Sequence, residues 1–169
     1  TAGITVRLDT ATATAIGYGT DTLVSIEDIT GSNFADTIVG DNSTNYLNGM
    51  GGNDIIYGGD GTDTIDGGDG NDTIYNTTDL TRAHETSGKA YIQLGAGMTK
   101  DNISIERKGE DVFIVNLDTK EKLTVKDWFK DDACKMDGIV FADGDFIGKE
   151  ELYEKALDFH ATAADDNLI

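Results

Sequence analysis

The sequence predicts an all-β chain: a flattened parallel β-solenoid, capped by strands on its N-terminal side and by a β-rich unit on its C-terminal side that ends in a short helix. Three observations carry this. Residues 49–75 read as three consecutive nines, GMGGNDIIY, GGDGTDTID and GGDGNDTIY, each opening on glycine, with aspartate sixth and isoleucine eighth. Beyond residue 94 glycines thin out, lysines appear, and 102–107, 111–116 and 122–126 alternate apolar with polar residues, as half-buried antiparallel strands do. Residues 148–160, GKEELYEKALDFH, place Leu152, Ala156, Leu157 and Phe159 at helical spacing, with Glu150 or Glu151 to Lys155 support.

The nines cannot be helical, because glycine costs about 1 kcal/mol per helix position. Consecutive glycines suit a tight turn with φ > 0 and close backbone approach. The residues after each aspartate, Ile55-Ile56-Tyr57, Thr64-Ile65-Asp66 and Thr73-Ile74-Tyr75, form three-residue strands with one buried side chain. A single nine cannot bury its isoleucine, whereas stacked nines can, which makes the unit a solenoid turn. With successive turns on opposite edges of a flattened coil, two nines complete one coil, and residues eighteen apart stack at about 4.8 Å. Asp36, Asp54 and Asp72 then form one column, and Asn45 and Asp63 the other. Ile38, Ile56 and Ile74 fill one interior row, and Leu47 and Ile65 the second.

Stacked carboxylates oppose such a fold. At about 5 Å and an effective dielectric of 20, each like-charged pair repels by roughly 3 kcal/mol. A hard cation between successive coils converts that repulsion into binding. Ca²⁺ fits better than Mg²⁺, because glycine-rich carbonyls offer six or more flexible oxygens without a strict octahedron. Zn²⁺ is disfavoured, since these turns contain no His or Cys. A phosphate-binding loop is disfavoured too: no lysine and no long helical pattern follow these glycines. A flexible acidic linker would not hold aspartate at a fixed phase.

The 169 residues carry a formal charge of −19. That balance argues against nucleic acid and anionic membrane surfaces, and for cations. Residues 31–81 contain no Lys, Arg or Glu. Cys134 is the single cysteine, so no internal disulfide forms, and bound metal is the available staple. There is no transmembrane stretch, initiator Met or signal peptide. The last residues, 164–169, look like the start of another repeat, so the chain reads as a segment of a longer protein.

In chain order, Ile4, Val6 and Leu8 alternate with Thr5, Arg7 and Asp9 as in a strand. A Thr/Ala run follows as extended chain, and 17–19 read as a turn. Residues 22–30 keep the nine-residue phase with Ile29 eighth but lack the glycines, as expected of a cap on an exposed solenoid end. Residues 31–39 (GSNFADTIV) and 40–48 (GDNSTNYLN) are degenerate nines; Asn45 in place of Asp removes a charge and weakens that site. The array ends at 76–81. A polar linker containing His84 leads into a strand at 89–94. After the three alternating strands, with turns at 108–110 and 118–120, Trp128 and Phe129 read as a core anchor. A short strand at 138–142 ends in the turn Asp143-Gly144. The expected divisions are 1–30 (cap strands), 31–81 (roll), 82–160 (C-terminal cap) and 161–169 (further repeat or linker).

The nonapeptide G-G-x-G-x-D-x-U-x, with U a large apolar residue, resembles the Ca²⁺-binding repeat of the RTX (repeats-in-toxin) proteins. The order D-N-I-S-I, G-E-D-V-F-I, K-L-T-V-K-D-W-F and I-V-F-A-D-G is similar to the segment flanking RTX arrays on their C-terminal side in toxins and other type I secretion substrates, where it packs on the last coil. Together the resemblances span roughly 17–159. They imply a right-handed parallel β-roll holding several Ca²⁺ ions. Each ion would take the second and fourth carbonyls and sixth side chain of one turn, with the first and third carbonyls and sixth side chain eighteen residues on. The best site then pairs Met50, Gly52 and Asp54 with Gly67, Asp69 and Asp72. A second pairs Ser32, Phe34 and Asp36 with Gly49, Gly51 and Asp54. A third pairs Asp41, Ser43 and Asn45 with Gly58, Asp60 and Asp63. Gly59, Gly61 and Asp63 meet only the patternless 76–81, and Gly68, Gly70 and Asp72 have no recognisable partner turn.

Asp60 and Asp69 are expected to act through their carbonyls, and Asp66 and Asp79 to be solvated. His84, His160 and Cys134 are not spaced for catalysis, and no catalytic residue is assigned. The expected function is a non-catalytic Ca²⁺-binding module of a larger secreted bacterial protein, extracellular or at the cell surface, whose folding Ca²⁺ drives after type I secretion. Its partners would be Ca²⁺, the secretion machinery in transit, and a host-surface or cell-surface partner of unknown kind. The alternatives are a constitutively Ca²⁺-stapled spacer in a large adhesin, the accessory module of a secreted enzyme or toxin, and receptor binding by the cap's aromatic face.

Overall fold

The computed structural model describes residues 2–15, 19–76, 90–95, 97–130 and 135–164. Asp79, His84, Cys134, the side chain of His160, part of the expected 17–19 turn, the expected polar linker before the strand at 89–94 and residues 165–169 of the expected further repeat lie outside them. Among the described residues the regular elements are mostly strands, in sheets dominated by parallel pairing around the repeats, with one helix.

Successive short strands alternate between two sheets. β4 (Asp28–Thr30), β6 (Tyr46–Asn48) and β8 (Asp63–Asp66) pair in parallel in one; β5 (Thr37–Val39), β7 (Ile55–Tyr57) and β9 (Thr73–Tyr75) do so in the other. Register advances by eighteen residues, Ile38 on Ile56 on Ile74 and Ile29 on Leu47 on Ile65. These side chains are buried and belong to a single apolar cluster, so the eighth position is the core of each turn. This arrangement is compatible with an all-β roll.

The N-terminal segment joins the ladder. β1 (Ile4–Arg7) lies parallel to β5, and β2 (Thr12–Ala15) and β3 (Gly19–Thr22) continue antiparallel to the end of that sheet. Of the apolar run after β3, Val24 and Ile26 are exposed, while Ile29 takes the core position that its phase predicts.

The cap holds the expected antiparallel trio, β11 (Ile103–Lys108), β12 (Asp111–Asn116) and β13 (Lys122–Val125). It does more than lean on the last coil, however. β13 pairs in parallel with β9, and β10 (Ala90–Leu94) pairs in parallel with both β8 and β14 (Gly138–Phe141). Ile92, Ile139 and Val125 thus extend the roll's apolar rows, because an apolar residue two places after the sixth position is all the ladder requires. A further short strand, β15 (Phe146–Gly148), pairs with β14. It leads straight into α1 (Lys149–Ala164), where Leu152 and Ala156 are fully buried. The helix runs four residues past the expected end at 160, so 161–164 are helical. Trp128 is fully buried, as a core anchor should be, with Met136, Phe141 and Ile147 also in the core.

Candidate metal centre

The turns explain the glycines at the first, second and fourth places of the nines. In all three full nines the second and fourth residues have left-handed backbone: Met50 (φ 73°) and Gly52 (123°), Gly59 (101°) and Gly61 (106°), Gly68 (86°) and Gly70 (123°). Only Met50 among these bears a side chain, at a cost of about 1–2 kcal/mol. The first glycine serves space rather than φ. A Cβ on Gly49 would overlap Asp54 Oδ2 and the Gly67 carbonyl oxygen, and one on Gly67 would overlap Asp72 Oδ2. The aspartate oxygens therefore crowd against the backbone of their own turn, and successive turns press backbone on backbone.

The columns form as the spacing predicts. Asp36, Asp54, Asp72, Asn45 and Asp63 are all buried, at 1–3% exposure. One carboxylate oxygen of each coil ties down the coil before it. Ile4 N donates to Asp36 Oδ1 (2.7 Å), Asp36 N to Asp54 Oδ1 (2.8 Å), Asp54 N to Asp72 Oδ1 (3.0 Å) and Asn45 N to Asp63 Oδ1 (3.0 Å). The other oxygens differ: Asp54 Oδ2 and Asp63 Oδ2 are buried and accept no hydrogen bond. Burial pushes the carboxyls up, Asp54 to about 6 and Asp63 and Asp72 to about 7. Neighbouring carboxylates add to the rise: Asp36 for Asp54, Asp41 and Asp60 for Asp63, and Asp54, Asp66 and Glu121 for Asp72. An orphaned, desolvated carboxylate oxygen is costly unless protonated or paired with a cation.

Turn carbonyls complete the donor set. Met50 O accepts from Asp69 N (2.8 Å), Asp69 O from Gly52 N (3.0 Å) and Asp41 O from Asp60 N (3.0 Å), each retaining a second lone pair. Among the described residues no three His, Cys, Asp or Glu side chains converge, so any ion here relies on carbonyls as well as carboxylates. All-oxygen donors of this flexibility fit Ca²⁺.

Comparison with known families decides the matter. The model of the RTX calcium-binding nonapeptide repeat (4 copies) matches residues 26–55 and 39–74, and that of the haemolysin-type calcium binding protein related domain matches residues 111–149. The chain contains an RTX calcium-binding domain. Its cofactor is Ca²⁺, several ions of which such repeats bind, and both matching families are calcium-binding domains of a kind that is typically non-catalytic. None of the curated proteins compared with the chain matches it. No helix among the described residues is long and apolar enough to cross a membrane.

Within this RTX domain all three predicted sets lie on adjacent coils; in the second, Gly51 N donates to Ser32 O (3.1 Å) and Asp36 N to Asp54 Oδ1 (2.8 Å). Met50, Gly52, Asp54, Gly67, Asp69 and Asp72 come together on adjacent coils, as do Gly58–Gly61 and Asp63 beneath Asp41–Asn45. Asp60 and Asp69 place their backbone in the ladder, Asp60 through its N–H and Asp69 through both N–H and carbonyl. Asp66 is not freely solvated. It is half-buried, its Oδ1 accepts from Gly68 N (3.0 Å), and burial, then Asp69, raises its carboxyl. Two features escaped the sequence reading. Leu123 stands beside Asp72 where the next aspartate of that column would be, since Thr124 pairs with Thr73. Asp137 stands two coils beyond Asp63, and its carboxylate accepts from Ala90 N (2.9 Å), as Asp63 does from Asn45 N. The signal was there in Asp137-Gly138-Ile139, which repeats the sixth-to-eighth phase without the glycines.

Proposed function

We propose that this chain is a non-catalytic folding switch: a right-handed RTX roll that stays open at low Ca²⁺, passes through a type I secretion channel as part of a larger bacterial protein, and closes outside the cell. The observation that carries the reading is the pair of buried, unpartnered oxygens, Asp54 Oδ2 and Asp63 Oδ2, within columns of stacked acids. A site absent from the unfolded chain makes metal affinity part of the folding free energy. Extracellular Ca²⁺ modules bind at roughly 10⁻⁴–10⁻³ M, so the roll would be unliganded in a cytosol holding far less. The first ion is held by Met50, Gly52 and Asp54 with Gly67, Asp69 and Asp72. The test is far-UV circular dichroism of chelated protein during a Ca²⁺ titration. Strand content should rise cooperatively between about 0.1 and 1 mM Ca²⁺. Equal strand content with and without the ion would refute the switch and favour a constitutively folded spacer.

A further inference from the structure

We infer that the degenerate coil formed by residues 31–48 is a calcium-independent template, in which Asp36 and Asn45 are positioning residues and not ligands, and that the ions are confined to the carboxylates of Asp54, Asp63 and Asp72. The inference deepens the proposed folding switch and rests on it.

Three independent features of the coil point the same way. First, its sixth-position acceptors already hold hydrogen bonds from their own turns, which the outer oxygens of Asp54 and Asp63 do not. Asp36 Oδ2 accepts from Ser32 N at 2.5 Å, and Asp36 Oδ1 accepts from both Ile4 N (2.7 Å) and Ser32 Oγ (2.9 Å). Asn45 Oδ1 accepts from Asp41 N (3.0 Å). In each case the second residue of the nine turns its amide onto its own sixth side chain. In the full nines Met50 N and Gly68 N go instead to Asn48 Oδ1 and Asp66 Oδ1, and the outer oxygens of Asp54 and Asp63 stay unpartnered. Secondly, the turn conformation differs. Ser32, Phe34, Asp41 and Ser43 hold the second and fourth positions, and none has the left-handed φ that all six equivalents in 49–75 adopt. Carbonyls at those positions are therefore aimed differently from those of the full nines. Thirdly, charge is lower where the cation would be needed: Asn45 is neutral, and three donors surround Asp36.

The opposite end of the first column is closed as well. Leu123 occupies the place after Asp72, and its Cδ1 would lie 2.9 Å from a Cβ on Gly67. With no carboxylate there, Asp72 N donates to Lys122 O (3.1 Å). The array is thus bounded by a self-satisfied coil on one side and an apolar plug on the other.

The test counts ions on the whole chain, with Ca²⁺ itself as the probe, by isothermal titration calorimetry of wild type, Asp36→Asn, Asp54→Asn and Asp63→Asn. Asp36→Asn should leave the number of bound ions unchanged and move the midpoint less than threefold. Asp54→Asn and Asp63→Asn should each lose an ion or weaken binding at least tenfold. Loss of an ion from Asp36→Asn comparable to that from Asp54→Asn would overturn the inference while leaving the switch standing; absence of binding by wild type would remove both. Asp36→Asn also removes the acceptor of Ser32 N, so a second readout covers a folding defect. Hydrogen exchange of wild type in chelator should show the amides of Ser32 and Asp41, whose acceptors Asp36 Oδ2 and Asn45 Oδ1 lie within the template itself, protected at least tenfold over those of Asp60 and Gly68. Uniform exchange across 31–75 would equally overturn the template.

Discussion

Replacing Asp54 by asparagine should act with opposite sign in the absence and presence of Ca²⁺. Asp54 sits in the middle of its column, with Asp36 one coil before and Asp72 one coil after. At the inter-coil spacing of about 5 Å and an effective dielectric of 20, each of these pairs repels by roughly 3 kcal/mol when both members are ionised. Asparagine keeps an Oδ1 to accept from Asp36 N and removes both repulsions. The upper bound on the gain to the calcium-free fold is thus roughly 6 kcal/mol. Burying an unpaired Nδ2 where Oδ2 now lies takes back about 1–3 kcal/mol, so a net gain of about 3 kcal/mol is expected at pH 8. With Ca²⁺ present the same change removes a charged ligand, and the Ca²⁺ midpoint should rise at least about tenfold, equivalent to about 1.4 kcal/mol. The assay is urea unfolding in chelator and in 10 mM Ca²⁺, followed by far-UV circular dichroism and by the fluorescence of Trp128, the single tryptophan and a fully buried one. Where wild type is already open in chelator, the gain appears as strand signal regained by the variant. Destabilisation of equal size in both media would show that Asp54 is merely a hydrogen-bonded structural residue, and the electrostatic reasoning would fall.

Four further outcomes follow from the same geometry. Asp54, Asp63 and Asp72 titrate near 6–7 when folded against 3.8 otherwise, so between about pH 4 and 7 the calcium-free roll holds protons that the open chain has lost. Its stability therefore falls as pH rises through that window: dichroism in chelator should show more strand at pH 5 than at pH 8, and the Ca²⁺ midpoint should climb as pH drops below 7. Gly49→Ala drives a methyl into Asp54 Oδ2 and the Gly67 carbonyl and should cost about 2 kcal/mol in thermal unfolding with Ca²⁺ bound. Met50→Gly releases a left-handed backbone cost of about 1–2 kcal/mol against about 0.5–1 kcal/mol of added chain entropy, so a small gain in melting temperature is expected. Ile56→Ala empties a fully buried site in the inner row and should cost about 3 kcal/mol in calcium-loaded urea melts.

Much of this was legible in the residues because a strict period converts position directly into contact. Asp at the sixth place and Ile at the eighth fix which side chains stack, and eighteen-residue register follows from two nines per coil, as Asp54 over Asp72 and Ile56 over Ile74 show. Three things were not legible. The continuation of the ladder into β10, β13 and β14 leaves no glycine signature, since Ala90, Leu123 and Asp137 hold the sixth place without the turns that advertise it. The distinction between filled and orphaned oxygens is a matter of where the second amide of each nine points, and Ser32 and Met50 differ there by backbone φ, not by any rule of pattern. Asp66 is half-buried and accepts from the amide of Gly68, and its carboxyl is raised by that burial first and then by Asp69, none of which its place at the strand end announces.

These observations bear on why an ion-dependent fold can still close cooperatively. A coil of short strands has two open edges, and each newly folded coil must satisfy one edge while creating another. Here both boundaries supply ready-made edges without metal. On one side β1 and the self-satisfied turns of 31–48 present β5 and β6; on the other β13 and β10 present partners for β9 and β8, backed by the core around Trp128, Phe141 and Leu152. The coils that need Ca²⁺ lie between them. Asp54 is bonded to a coil on either side, so an ion that orders β7 also orders the surface on which β9 must stack. Partial occupancy then leaves orphaned carboxylates next to formed strands, the least favourable arrangement available, and the system is driven to all or none. A Ca²⁺ titration that proceeded in independent, non-cooperative steps would contradict this coupling even if every ligand were correctly placed.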